Sequence, residues 1–246
     1  MTTRTAPTVK TSRFAATVVS GTLVVLLSIL ALPASAGDVE RTPTSSGQGA
    51  RGSSESLGRI ESQNGLPAGA GTSKTFQDVL YDQTLLPSDW GISAQNFGGE
   101  WVDYNSEGAD DFVVPDAGGG WIVERVYLPG FYPDEGTGPA SSFNIAFYSN
   151  SQQTGPAARE CASAGTILSD DDGTFLVQLN SPCTLSPGRH WLGVQVNLDF
   201  ASYGQWLWSA SPEYEGRLAR WRNPGGAFPD GCTDWGLITS CTGADD

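Results

Sequence analysis

The residues best able to do chemistry in this chain are acidic and aromatic. Asp170-Asp171-Asp172-Gly173 places three carboxylates on consecutive positions, and a hard cation such as calcium takes several oxygens from so short a stretch. The same four residues suit a hairpin turn, where Asp bonds locally to the backbone and Gly adopts positive φ. The run lacks the spacing and closing glutamate of an EF-hand, so a turn is the simpler expectation and calcium the sharper one. Asp110-Asp111 is a second acidic pair of this type, unless one of the two points inward to satisfy loop amides.

Trp206 and Trp208 lie two apart, so on a strand both indoles share one face, as core or as an exposed platform. Aromatic platforms suit sugar rings, with neighbouring amides taking the hydroxyls. Tyr203, Gln195 and Asn197 are near in sequence. Gln195 and Asn197 fall in the phase opposite to Leu192, Val194, Val196 and Leu198, and Trp191 shares that polar phase, which predicts a solvent-facing indole.

Catalytic patterns are sparse. A Ser-His-Asp apparatus needs an oriented histidine; the single histidine, His190, follows Gly188-Arg189 and reads as a surface-turn residue, with no GxSxG elbow in the chain. Metalloprotease, phosphate-loop and dinucleotide motifs are absent. Glycoside hydrolysis needs two carboxylates and no linear motif. Glu100, Asp103 and Glu124 are therefore eligible, although nothing in the sequence singles them out.

Four cysteines, Cys161, Cys183, Cys232 and Cys241, lie in the last third. Sequence alone allows three connectivities; Cys161 to Cys183 and Cys232 to Cys241 are favoured because each closes a short local excursion. No CxxC spacing argues for zinc. Residues 1–36 carry basic residues, an apolar run and Ala34-Ser35-Ala36, the pattern of a cleaved secretory signal peptide. The disulfides fit the oxidising compartment that export implies. No second long apolar stretch is present, so no membrane association is expected after cleavage. The net charge of −14 leaves no basic cluster for phosphate contacts, which excludes nucleic acid as a partner.

The elements that must position these residues follow from period and punctuation. Residues 37–74 are rich in Gly, Ser, Thr and Pro, with little apolar surface to offset ordering entropy, and predict a disordered linker. Residues 75–246 hold the eight tryptophans, seven tyrosines and nine of the ten phenylalanines. Phe143, Ile145 and Phe147 alternate, as do Phe175, Val177 and Leu179, and the series from Leu192; these are half-buried strands. Turn residues separate them and no helical stripe appears, so an all-β antiparallel β-sandwich, jelly-roll-like, is expected.

Ala109-Asp110-Asp111-Phe112-Val113-Val114-Pro115, then Trp121, Val126 and Gly130, then Ser142-Phe143-Asn144-Ile145-Ala146-Phe147-Tyr148, and finally Gln205-Trp206 and Asn223-Pro224-Gly225-Gly226 occur in order. The series resembles an uncharacterised accessory β-sandwich domain of secreted bacterial proteins, and would cover most of the mature domain. The resemblance implies export and a sandwich fold and carries no catalytic residues. The expected function is a secreted, extracellular, non-enzymatic binding or adhesion module whose partner is a glycan or a surface protein. The alternatives are a calcium-stabilised envelope protein and a hydrolase using two carboxylates.

Overall fold

The computed structural model describes residues 42–48, 59–62, 78–84, 90–134, 137–151, 155–211, 216–229 and 231–242. The signal peptide expected over residues 1–36 lies outside the described residues. In chain order the strands are β1 (Ser46–Gln48), β2 (Arg59–Ser62), β3 (Asp78–Asp82), β4 (Trp90–Ser93), β5 (Gln95–Asn96), β6 (Glu107–Val114), β7 (Trp121–Leu128) and β8 (Gly130–Phe131). There follow β9 (Ser142–Ser151), β10 (Gly155–Asp171), β11 (Thr174–Leu185), β12 (Gly188–Asn197), β13 (Leu207–Ser209), β14 (Arg220–Arg222) and β15 (Gly236–Leu237). Helical turns are confined to a 3-10 segment at Gly99–Tyr104, α1 (Phe200–Tyr203) and α2 (Ile238–Thr242) among the described residues.

These strands make an all-β sandwich of two packed sheets. The smaller runs β1-β4-β13-β8, and the larger runs β15-β14-β6-β12-β9-β10-β11-β7-β2-β3, with β5 alongside β12. Every pairing is antiparallel except β5 with β12. The larger sheet curls back on itself: Phe112 of β6 stacks on Trp121 of β7 with centroids 6.0 Å apart, although five steps of pairing separate the two strands.

The long β10 makes that curl. Its first part pairs with β9 and its last part with β11, the change falling at Gly165, which faces both Phe143 and Leu179. A Cβ at Gly165 would collide with Val177, so the strand turns the corner where a side chain has no room. The alternating residues supply the main core, in which Phe143, Ile145, Phe147, Phe175, Val177, Leu179, Val194 and Val196 are buried. A second cluster, with Ile92, Phe97, Phe200, Trp221 and Phe228, lies under the smaller sheet. Trp208 packs against both clusters and sits over Gly108 of β6, joining the two sheets.

Both expected disulfides are present. Cys161 and Cys183, with Cα atoms 5.9 Å apart, tie β10 to β11; Cys232 and Cys241, 5.1 Å apart, close the carboxy-terminal excursion. Each contributes on the order of 2 to 4 kcal/mol.

The reading of residues 37–74 as a disordered linker is corrected at two places. Ser46–Gln48 pairs with Trp90–Ile92, and Arg59–Ser62 lies between β7 and β3. Pro43 is buried, Thr44 N–H donates to Gln205 Oε1 at 3.0 Å, and Gln205 Nε2 donates back to the Thr44 carbonyl. Composition missed this docking because edge pairing is made by backbone groups and one amide side chain, not by apolar area.

Candidate functional site

The outward positions of β6, β12, β9 and β10 form the site. Their register places Asn144 beside Gln195 and Ala164, Ala146 beside Gly193 and Ala162, and Tyr148 beside Trp191 and Arg159. Ala109 continues the middle row on β6. Small side chains therefore make a floor, and longer polar ones stand on either side. The result is a half-open trough of about 310 Å³ lined by Ala146, Ala162 and Ala164, with Glu107, Asn144 and Gln195 along one wall and Tyr148 and Arg159 along the other. That volume is at the lower end for small-ligand sites.

One wall is a ladder of amides. Asn144 and Asn197 exchange hydrogen bonds, Nδ2 to Oδ1, at 3.1 and 3.2 Å. Asn144 Nδ2 also donates to Gln195 Oε1 at 2.9 Å, and Gln195 Nε2 donates to the Ser106 carbonyl at 3.0 Å. Asn96 Nδ2 and Ser142 Oγ hold Asn197 from either side, at 2.9 and 3.0 Å. Interlocked amides lose little further freedom when a polar ligand arrives, which lowers the cost of ordering them.

The other polar centre is Glu107. One carboxylate oxygen accepts from the Tyr148 hydroxyl at 2.7 Å; the other accepts from Arg222 Nη2 and Nε at 2.6 and 3.1 Å. Arg222 lies over the Trp235 ring, 4.2 Å from its centroid, and Trp235 meets Tyr148 edge to face at 5.5 Å. Burial, and then the Glu107 charge, push the Tyr148 phenol well above its ordinary range, so it remains a neutral donor. A Cβ at Gly193 would strike both Glu107 and Tyr148; glycine there lets them close over the floor.

The expected ligand residues divide. Gln195 and Asn197 belong to the ladder. Trp191 is fully buried rather than solvent-facing, which overturns the expectation from its phase. Its Nε1 donates to Asn150 Oδ1 at 3.1 Å, and it packs with Ala109, Ala146 and Tyr148, with Trp235 against them. Outward residues on a strand are buried when other chain covers them, and here Arg217, from the loop before β14, reaches the Ser151 carbonyl beside Asn150. Trp206 is also fully buried, its Nε1 donating to the Gly173 carbonyl at 2.7 Å and its ring edge-on to Phe143 at 5.5 Å. With Trp208 half-buried between the clusters, this pair forms no exposed platform. Tyr203 is 46% exposed on α1, and its carbonyl accepts from Gly138 N–H; it does not line the trough.

Asp170 and Asp171 end β10, and Asp172-Gly173 makes the hairpin turn into β11. Asp170 Oδ1 accepts from Gly173 N–H at 2.8 Å, its other oxygen accepts from Tyr132 Oη at 3.1 Å, and Asp172 and Gly173 have φ of 50° and 93°, as a tight two-residue turn requires. No group of three or more His, Cys, Asp and Glu side chains placed to hold a metal occurs among the described residues. Asp110 and Asp111 alternate to opposite faces. Asp111 is buried on the outer side, ion-paired with Arg189 and accepting from Arg217 N–H at 2.7 Å. The two therefore cannot share a cation.

His190 is buried, not a surface-turn residue: it lies within β12, Nε2 donating to the Ser186 carbonyl at 2.8 Å and Nδ1 lying 2.7 Å from Glu160 Oε2. Glu100 and Asp103 are exposed on the 3-10 segment and Glu124 is half-buried on β7; none lines the trough. Sequence reasoning missed Glu107, Asn144, Tyr148, Arg159 and Trp235. The signal for Asn144 and Tyr148 was their phase opposite Phe143, Ile145 and Phe147, but only the register of β9 against β12 brings them to Gln195.

The fold and site together define an antiparallel β-sandwich with a polar trough on one sheet face. Comparison of the chain with protein-family models, with curated proteins and with solved structures finds no match.

Proposed function

We propose that this chain is an exported, non-enzymatic glycan-binding domain whose ligand lies in the trough on β6, β12, β9 and β10. The observation that carries this reading is the amide ladder Asn197–Asn144–Gln195 beside a floor of alanine and glycine. Sugars present hydroxyls that both donate and accept, together with flat C–H faces. Fixed amides complement the hydroxyls, and a shallow floor without bulk admits the ring. The two disulfides and the resemblance to accessory domains of secreted bacterial proteins support export and a binding rather than catalytic role. Glu107 is the one carboxylate lining the trough, with both oxygens already engaged, whereas glycoside hydrolysis uses two carboxylates roughly 5 to 9 Å apart.

The test fills the floor. Ala162 is exposed and outward on β10, so Ala162→Trp occupies the trough while leaving the core intact. Affinity electrophoresis of the mature protein through gels containing a panel of polysaccharides should show retardation by at least one polymer. The variant should lose that retardation with an unchanged melting temperature. Retention of binding by Ala162→Trp would place the ligand elsewhere, and retardation by no polymer would reject the reading.

A further inference from the structure

The charge around the trough is opposite to that of the chain. Six basic residues, all arginine, follow residue 75. Five of them belong to the outer side of one sheet region: Arg159 on β10, Arg189 on β12, Arg220 and Arg222 on β14, and Arg217 just before β14. The outward positions of β6, β9, β12 and β14 carry two acidic residues, Glu107 and Asp111, and each is paired, with Arg222 and Arg189 respectively. Arg159 forms the open end of the trough wall. It is exposed, and its side chain makes no ion pair or hydrogen bond among the described residues. Arg220 lies in the same transverse row as Ala109, Gly193, Ala146 and Ala162, and its Nε is buried without a hydrogen-bond partner among the described residues.

We propose that the trough is selective for an acidic oligosaccharide, with hydroxyls on Asn144 and Gln195 and a sugar carboxylate on the Arg159 guanidinium; this rests on the glycan-binding reading above. Arginine offers a planar fork that matches a carboxylate in two parallel hydrogen bonds. Since Glu107 is neutralised by Arg222 inside the trough, the local field there is that of Arg159. A field of this kind acts within about one Debye length, roughly 8 to 10 Å, even on a molecule of opposite net charge. From the row of Asn144 to the row of Tyr148 and Arg159 is four residues along β9, about 14 Å at about 3.4 Å per residue. That span fits a short oligosaccharide rather than one ring.

The experiment is calorimetric titration of the mature chain with oligogalacturonate, and with the same oligomer after reduction of its carboxyl groups to alcohols. The acidic form should bind at least about tenfold more tightly. Arg159→Gln removes the charge from an exposed side chain that has no ion pair among the described residues, so the fold is kept; it should erase that difference by bringing the acidic oligomer's affinity down to that of the reduced one. Equal affinities for the two forms, or an acidic preference that survives in Arg159→Gln, would overturn acid selectivity while leaving a neutral-glycan site standing. Failure of both oligomers, with retardation by a neutral polymer in the electrophoretic panel, would likewise overturn it. Failure of every saccharide removes the glycan reading and this inference together.

Discussion

Asp110 is the position where a single atom's change should be felt as a function of pH. It lies on the face of β6 that carries Phe112 and Val114 into the core, directly opposite Leu192, and among the described residues its carboxylate accepts only from the neighbouring Asp111 N–H, at 2.9 Å. Burial raises its pKa from the ordinary 3.8 to about 7. The sign follows from linkage: the native state holds the proton that the unfolded chain releases, so this group stabilises nothing and costs free energy as pH rises from about 4 to about 7. Each tenfold change in proton affinity is about 1.4 kcal/mol, so full transfer would cost about 4 kcal/mol. The side chain keeps some contact with solvent, which screens the charge and brings the expected cost down to about 1 to 3 kcal/mol. Asp110→Asn keeps the size and the acceptor and removes the charge. In urea melts the variant and the parent should match at about pH 3, below both pKa values, and diverge by about 1 to 3 kcal/mol, variant more stable, at pH 8. For a domain of this size that corresponds to roughly 2 to 10 °C in Tm. A variant that is less stable at pH 8, or a difference that does not change between the two pH values, would refute the assignment of a buried, neutral Asp110.

Removal of residues 37–48 is expected to lower stability by about 1 to 3 kcal/mol, because it leaves Gln205 without its Thr44 partner and opens the edge of β4; an unchanged Tm would show that β1 adds nothing in solution. Cys161→Ser and Cys183→Ser should each cost about 2 to 4 kcal/mol and the double variant no more than either alone, since both break one bond; summed losses in chemical denaturation would contradict the pairing.

Strand periodicity made much of the fold legible. Phe143-Ile145-Phe147 and Phe175-Val177-Leu179 mark their strands by alternation, and the inward members are the core. The two disulfide pairs followed from loop length. Trp191 was misread because period two tells which face a residue takes, not whether other chain crosses that face. His190 was misread because Gly188-Arg189 has turn chemistry while belonging to β12. The trough itself depends on register between strands far apart in sequence, Gln195 against Asn144 and Glu107 against Arg222, and no local pattern encodes that. Arg159 gave no signal at all until its neighbours on β9 were known.

The clasp between Thr44 and Gln205 spans 161 positions of sequence, and β1 completes a sheet edge whose other strands lie far downstream. Contacts of this separation reward the chain only after a long loop has been closed, so folding belongs to the slow regime of non-local β proteins, in milliseconds to seconds. During synthesis the amino-terminal segment meets its strand partner β4 early, but Gln205, which holds Thr44, and β13, on the other side of β4, emerge only near the end. Until then the edge of β4 that β13 covers stays open, and any crowding of nascent chains at that stage meets an unsatisfied strand.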